Sequence, residues 1–460
     1  MTKRRDFIKK SVLGTAGITI GGMGLSSGSY SSVSGANDRI NVAVIGIGGR
    51  GGEHITHLCS LKDNRNVRVI TLCDVDEKFF DQRAKAVLEK SGVKPSVEWD
   101  MRKVFDNPEV HAVSFGTPNH WHALGTIWAC QAGKHVYVEK PCSHNIVEGR
   151  KMIEASRKYN VRVQVGFQNR SGYNLNEAIK FIHDGGIGDV YMARGLCIKP
   201  RDSFGIARES TPPETLHYDM WLGPAPWRRY NEKRAHYNWH WFWDTGNGDT
   251  GNQGPHEFDV ARWGMSKNEH PVSVYSTGGI YGIDPKECAQ ETPNTQTTVL
   301  KYKDGKIIEF ETRGRYSNDE SSIGIRIGNI FYGTEGYLEL YGESASPWKA
   351  FRKREKVPFA GSKENKSAEP FDPTFRAAPG GAEHWANFLD AIRSGKDETL
   401  TCDIIEGHYS TALPHLANIS YRLGRELKFM GEYEKFANDP EADAMLTRFY
   451  RKPYVVPDEV

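Results

Sequence analysis

The sequence predicts a doubly wound parallel α/β sheet followed by an α+β domain on a large, mostly antiparallel open sheet. Three observations carry that expectation. Asn41–Gly52, NVAVIGIGGRGG, runs from an apolar stretch into a glycine turn and on into EHITHLCSL, an amphipathic helix pattern. Apolar runs and helical patterns then alternate as far as Phe167. From about Gln168 onward, short segments alternate apolar and polar residues, the period of strands with one covered face.

Taken in order, the chain begins with Thr2-Lys3-Arg4-Arg5-Asp6-Phe7-Ile8-Lys9-Lys10, a glycine-rich apolar stretch Val12–Leu25 and a Ser/Gly spacer Ser26–Gly35. This resembles a twin-arginine export signal. The expected location is therefore periplasmic or otherwise exported. The apolar stretch is too short and glycine-rich for a stable span. Ser34-Gly35-Ala36 is a poor cleavage site, so an uncleaved signal is the one expected route to a membrane tether. Residues 1–36 are set apart from the fold, 37–166 form the expected dinucleotide-binding domain, and 167–460 the expected substrate-binding and oligomerisation domain.

The 460 residues suffice for two domains, and 60 Lys+Arg against 58 Asp+Glu leave no basic excess for nucleic acid. A mean hydropathy of −0.59 fits a soluble globular protein. The seven cysteines are scattered without CxxC spacing, so they read as free, mostly buried thiols, and no metal site is expected.

Val42, Val44 and Ile45 read as a buried strand, followed by Gly46-x-Gly48-x-x-Gly51 at the start of a helix. That context fits a Rossmann dinucleotide site: Gly46 for the turn, Gly48 for approach to a pyrophosphate, Gly51 for close helix packing. A second apolar run, VRVITL, ends at Cys73-Asp74-Val75-Asp76. Asp74, 23 residues beyond Gly51, stands where an acid meets the adenosine ribose hydroxyls. It would repel a 2′-phosphate, so NAD is expected, although Arg50 and Lys78 nearby leave NADP open.

Phe79–Lys90 reads as a helix, His111–Gly116 as a strand ending at Thr117-Pro118-Asn119-His120, Trp121–Ala132 as a helix, and His135–Val138 as a strand running into Glu139-Lys140-Pro141. Ile146–Tyr159 and Val161–Phe167 add a helix and a strand. Ligands lie beyond the carboxyl ends of such strands. Arg50, Thr117, Asn119, His122, Glu139 and Lys140 join the glycines and Asp74 as expected cofactor contacts. Lys140 can also steady a developing alkoxide.

The motifs GIGGRG, CDVD, GTPNHWH and EKP together resemble the glucose–fructose oxidoreductase/inositol dehydrogenase (Gfo/Idh/MocA) family. The resemblance implies that Lys140 is catalytic. It also implies a third motif: an Asp, a Gly two residues on and a His four residues on, at a helix start. Gly254 and His256 match, and Asn252 replaces the Asp. An amide orients but takes no proton, so His256 becomes the expected general base, with Asp249 a candidate stand-in acid.

In the second domain, Asp189–Arg194, Val272–Thr277, Thr297–Tyr302 and Lys306–Thr312 read as strands. Asp202–Asn247 is a long aromatic loop. Trp239, Trp241 and Trp243 at period two would share one face of an extended segment, packing in the core or stacking on sugar. His256 and Asp259, three apart, would share a helix face. Gln168, Arg170, Trp239, Trp241, Asn252 and Asp259 are the candidate substrate contacts. Arg352–Lys366 reads as a charged loop, while His384–Arg393 and Ile404–Leu423 read as helices, one of which the resemblance implies packs near the first domain.

The expected function is an exported nicotinamide-dependent oxidoreductase moving a hydride to or from a ring carbon of a sugar, glycoside or cyclitol. Outside the cytoplasm its NAD would be tightly bound and regenerated in place. Two alternatives stand: an NAD-dependent glycoside hydrolase working by transient oxidation and elimination, as in some relatives, and a non-catalytic sugar-binding protein. An open sheet face would favour a homodimer or homotetramer.

Overall fold

The structure, a computed structural model, describes residues 38–315, 324–342, 347–362 and 381–460, and the stretch read as an export signal lies outside them. Ile40–Val460 forms one compact unit. Its first part is a six-stranded parallel sheet of β1 (Ile40–Ile45), β2 (Val67–Cys73), β3 (Ser96–Glu98), β4 (Ala112–Phe115), β5 (His135–Val138) and β6 (Val163–Val165). The crossovers are α1 (Gly51–Ser60), α2 (Phe80–Ser91), α3 (Met101–Asp106), α4 (His122–Gln131) and α5 (Ile146–Lys158). Strand order is β3-β2-β1-β4-β5-β6. It reverses between β1 and β4, where a doubly wound sheet opens a ligand crevice.

Glycines make that crossing. Gly46 has φ +80°, and a Cβ there would lie 2.7 Å from the Thr117 amide nitrogen. A Cβ on Gly51 would lie 2.0 Å from the Gly46 carbonyl oxygen, so only glycine lets α1 start against β1. Gly116 completes the contact, with a Cβ position 2.7 Å from the Gly51 nitrogen. Gly48 lines the cavity beside the turn, and a Cβ on it would also meet the Phe79 ring at 2.9 Å.

The second part begins with α6 (Tyr173–His183), β7 (Val190–Cys197), α7 (Tyr218–Leu222), α8 (Gly248–Asn252) and α9 (Gly254–Gly264). It continues with β8 (Ser273–Gly279), β9 (Thr295–Lys301), β10 (Ile307–Arg313), β11 (Ile327–Gly333), β12 (Gly336–Tyr341), β13 (Trp348–Arg352) and β14 (Ala360–Gly361). Last come α10 (Gly381–Ser394), α11 (Ile404–Leu423), β15 (Leu427–Met430), β16 (Lys435–Phe436) and α12 (Pro440–Asp443). The strands form a ten-stranded sheet, β14-β13-β12-β11-β7-β10-β9-β8-β15-β16, in which only β7 and β10 pair in parallel among the described residues. Burial alternates along β9 and β10, as expected for one covered face. The covering helix α9 sets Phe258 on Phe310 of β10 at 4.6 Å between ring centroids. Of the charged loop expected over Arg352–Lys366, Arg352 closes β13, residues 353–359 are exposed turn and bend, the two-residue β14 interrupts it, and 363–366 lie outside the described residues.

Both carboxyl-terminal helices return to the parallel sheet. Trp385, Phe388 and Leu389 of α10 share one buried cluster with Val42, Leu58 and Tyr137. The Trp385 indole stacks on the Tyr137 ring at 3.8 Å. α11 packs against α5, and the carbonyl of Cys402 just before it accepts from the Val165 amide at 3.0 Å, covering the edge of β6. All seven cysteines are free and buried.

Beyond the main sheet, His270, His408 and Glu434 bring three metal-ligand atoms within 4.8 Å of one another. Glu434 Oε1 accepts from His270 Nε2 at 2.9 Å and His408 Nε2 at 2.6 Å, and Arg150 forks across both carboxylate oxygens. The guanidinium already balances the carboxylate, so this hub pins the β15–β16 turn to α5 and α11.

Trp385→Ala is expected to lower stability by about 3–5 kcal/mol, the usual cost of emptying a buried aromatic site. Urea unfolding followed by far-ultraviolet circular dichroism checks this. An unchanged midpoint would show that α10 contributes little to the first sheet.

Candidate functional site

At the carboxyl ends of the parallel strands lies a cavity of about 1150 Å³. The glycine turn, Asp74, Thr117, Asn119, His122, Glu139 and Lys140 line one side, and Trp239, Asn252 and His256 line the other. The sheet's switch point thus faces the start of α9, as the order of the motifs implied.

Asp74 is 8 % exposed, and its Oδ2 accepts from the amides of Ile47 at 2.8 Å and Gly48 at 3.2 Å. Its Oδ1 accepts from the Asp76 amide at 3.0 Å. The expected ribose acid is therefore also the clasp of the glycine turn, and only its remaining lone pairs serve a ligand. Burial raises its pKa, against the pull of those amides. Thr117 Oγ1 and Asn119 Oδ1 are buried in the same wall without partners, while the Asn119 amide donates to Asn247 Oδ1 at 2.6 Å. Unpartnered polar atoms beside a cradle that a Cβ would fill fit a polar, phosphate-bearing ligand such as a dinucleotide.

Glu139, at the end of β5, is the electrostatic centre of the site. Its Oε1 accepts from Arg50 Nε at 3.0 Å, His54 Nε2 at 3.1 Å and Gln168 Nε2 at 2.9 Å, and the Lys140 amide donates to Oε2 at 3.3 Å. Burial opposes its charge, but Arg50, His54 and Lys140 outweigh burial and hold the carboxyl well below the usual carboxylate range. A carboxylate only accepts, so His54 carries its proton on Nε2 and its Nδ1 accepts from Ser114 Oγ at 3.3 Å. His122 lies between the carbonyls of Pro141, 2.7 Å from Nδ1, and Thr117, 3.0 Å from Nε2, and the single N–H of the neutral ring donates to one of them.

Lys140 reaches across the cleft: its Nζ donates to the backbone carbonyl of Asn252 at 2.8 Å. That leaves two ammonium N–H groups for a ligand. Burial lowers its pKa from the ordinary 10.5 to about 8; Glu139 opposes this, and Arg50 and Lys199 add to it. His256 lies edge-on to Phe167 at 5.9 Å, with Nδ1 buried and unpartnered. Burial, then the Lys140 charge, drives its pKa well below 6.5, so it stands neutral and able to accept a proton.

Several expected contacts fall elsewhere. Arg170 forks onto Asp259, with Nε 2.9 Å from Oδ2 and Nη2 2.8 Å from Oδ1, and Ser410 Oγ donates to the same carboxylate at 2.6 Å. Neither residue lines the cavity, because each buried charge requires the other. Asp259 thus does not share the cavity with His256. Asp249 is no stand-in acid: Arg201 grips both its oxygens at 2.9 and 3.0 Å. The three tryptophans do not share a face, since 238–241 is a 3₁₀ turn. Trp239 lines the cavity, whereas Trp241 is buried beneath the Arg201 guanidinium, and Trp243 sits near Tyr421 and Arg422. Gln168 lines the cavity and donates to Tyr137 Oη at 2.8 Å as well as to Glu139.

The sequence reading missed His54, His236, Asn247, Lys199 and Gln253. Lys199 Nζ donates to Gln253 Oε1, whose amide donates to Glu257 Oε1 at 3.0 Å behind His256. Apart from the Gln253–Glu257 contact, four residues apart within one helical stretch, these partners meet across about fifty to 160 residues, with no local spacing to announce them.

Comparison with known proteins agrees with this geometry. The model of an oxidoreductase family's NAD-binding Rossmann fold matches residues 40–167, and that of its C-terminal alpha/beta domain matches 205–337 and 364–456. Levoglucosan dehydrogenase of Pseudarthrobacter phenanthrenivorans is 25 % identical over 324 residues, 67 % of this chain and 72 % of its own. A glycosyl hydrolase family 109 protein of Shewanella pealeana is 28 % identical over 171 residues, 34 % of this chain and 37 % of its own. A solved levoglucosan dehydrogenase, in complex with NADH and levoglucosan, superposes with a TM-score of 0.63 at 19 % identity, covering 85 % of this chain and 99 % of that one. The chain belongs to the Gfo/Idh/MocA oxidoreductases, in which an NAD-binding Rossmann domain precedes a C-terminal α/β domain.

Proposed function

We propose that this chain acts on a secondary alcohol carbon of a sugar, glycoside or cyclitol, with NAD in the cleft described above, after export by the twin-arginine route. The observation that carries the reading is the approach of Lys140 and His256 to one cavity from opposite domains. NAD, when bound, takes up or returns the hydride of the carbinol carbon. Around it, the glycine turn and Asp74 hold the dinucleotide, and Thr117, Asn119 and Arg50 offer polar contacts. The neutral imidazole of His256 accepts the hydroxyl proton, and the Lys140 ammonium donates to the oxygen and steadies its negative charge. Asn252 cannot take a proton, but its main-chain carbonyl still anchors Lys140.

A glycoside hydrolase cycle is the second reading, supported by the family 109 relatives and by an export signal that parts the enzyme from soluble nicotinamide. Self-association through the open sheet face is also proposed: Tyr275, Val299, Glu309 and Arg194 are consecutive cross-strand neighbours on it, with Tyr275 and Val299 exposed.

Native protein purified without added nucleotide and then denatured should release close to one NAD per chain, measured by chromatography. Protein that is empty and binds neither NAD nor NADP would discard the enzyme reading. Gly51→Ala should lose both stability and the dinucleotide, because its methyl, 2.0 Å from the Gly46 carbonyl oxygen, forces the turn and α1 apart; an unchanged NAD content by the same chromatography would refute this. Lys140→Ala should keep NAD bound and lower kcat by about 10²–10³-fold, the scale of a removed charge-stabilising donor; full activity would refute the assignment. The pKa of Lys140 is depressed, so its cation is present at neutral pH and is lost as pH rises through about 8. kcat/KM should therefore fall above about pH 8, and a profile still rising there would show that the lysine acts neutral.

A further inference from the structure

The two acids that end β2 face opposite ways. Asp74 turns to the glycine loop, and Asp76 turns to the second part of the chain. Asp76 is fully buried. Its Oδ1 accepts from Thr215 Oγ1 at 2.7 Å, and its Oδ2 lies 2.8 Å from His236 Nε2 and 2.7 Å from Lys78 Nζ. The main chains join there as well: Asp76 and Leu216 form an antiparallel bridge, the Glu77 amide donates to the Thr215 carbonyl at 3.0 Å, and the His217 amide donates to the Val75 carbonyl at 2.8 Å. His217 stacks on Trp99 at 4.1 Å, and its Nε2 meets Glu77 Oε1 at 2.7 Å.

The same segment is tied at the far side of the cleft. The Trp221 carbonyl lies 2.9 Å from His120 Nε2, and the Met220 carbonyl accepts from Trp121 Nε1 at 2.9 Å, both just beyond β4. His236 meets the Phe79 ring edge-on at 5.5 Å, and that ring lies against Gly48 of the turn. Tyr237, Trp239 and His240 then continue the lining of the cavity.

We infer that residues 215–241 are a strap that completes the adenosine end of the dinucleotide site and holds NAD in place from one turnover to the next. The inference rests on the reading that NAD occupies this cleft. The adenosine half of a dinucleotide lies at the end of β2 in a doubly wound sheet, which is where Asp76 binds the strap. Release then requires the strap to leave Asp76, so opening limits the off-rate. A group so held is oxidised and reduced in place, by the substrate itself or by a second substrate entering after the first.

The test uses the full-length holoenzyme and follows loss of bound NADH fluorescence on dilution into excess NAD. Asp76→Asn, Thr215→Val and His236→Gln are compared with wild type, so that failure of one to fold leaves two. Hydrogen exchange at the Glu77 and His217 amides reports independently whether the strap is loosened. Wild type should retain NADH through gel filtration, and the variants should lose it 10- to 100-fold faster with both amides deprotected. NADH release at the wild-type rate from a variant with deprotected amides would overturn the strap. So would wild-type protein that exchanges its nucleotide within the mixing time. Protein that binds no dinucleotide at all would overturn the reading beneath it, a result distinguishable from either of these.

Discussion

One buried carboxylate at the end of β5 sets the geometry of the whole cleft. Glu139 is reached by Arg50 at the cap of α1, by His54 within it and by Gln168 from the turn after β6, and its own amide neighbour is Lys140. A charge removed from water must be matched by donors, and these donors come from three elements that would otherwise be free to shift. The match fixes α1 against β5, and with it the amino terminus that meets the anion. It also fixes the backbone of Lys140, so that the side chain spans the cleft to the carbonyl of Asn252. The Trp385 indole, edge-on to His54 at 5.1 Å, keeps the histidine dry and in one orientation.

Local features of the sequence were sufficient for the parallel sheet. An apolar run, a glycine turn and an amphipathic pattern are each determined within a dozen residues, and β1, α1, β2, β4 and β5 fall close to their expected positions. The short β3 and α3 escaped because three exposed or half-buried strand residues and six helical ones make no readable period. Lys140 and His256, singled out because their motifs come in a fixed order along the chain, do line one cavity. Arg170 and Asp259 misled because a charge near a strand end or helix start looks functional until its partner is known, and here each is the other's partner. The tryptophan stretch misled for a related reason: period two implies a strand only where the backbone is extended, and Asn238–Trp241 is a tight turn.

The change from Asp to Asn at position 252 takes on a different meaning in the structure. The side chain there was expected to matter to the histidine and the substrate, yet what residue 252 visibly holds is Lys140, and it does so through its main chain, which every residue supplies. His256 is likewise kept neutral by burial and by a neighbouring cation. The position of Lys140 in this cleft depends on where the backbone of α8 ends more than on the identity of residue 252.

The late position of Trp385 has a bearing on how the chain matures. The cluster beneath the dinucleotide cradle draws on Val42 and Tyr137 from early in the chain and on Trp385, Phe388 and Leu389 from near its end. During synthesis the cradle's strands emerge long before the helix that seals them. The nucleotide-binding half therefore stays unsealed until translation is nearly complete, and a ribosome-bound fragment lacking α10 would expose the faces of Val42 and Tyr137 that the finished protein hides.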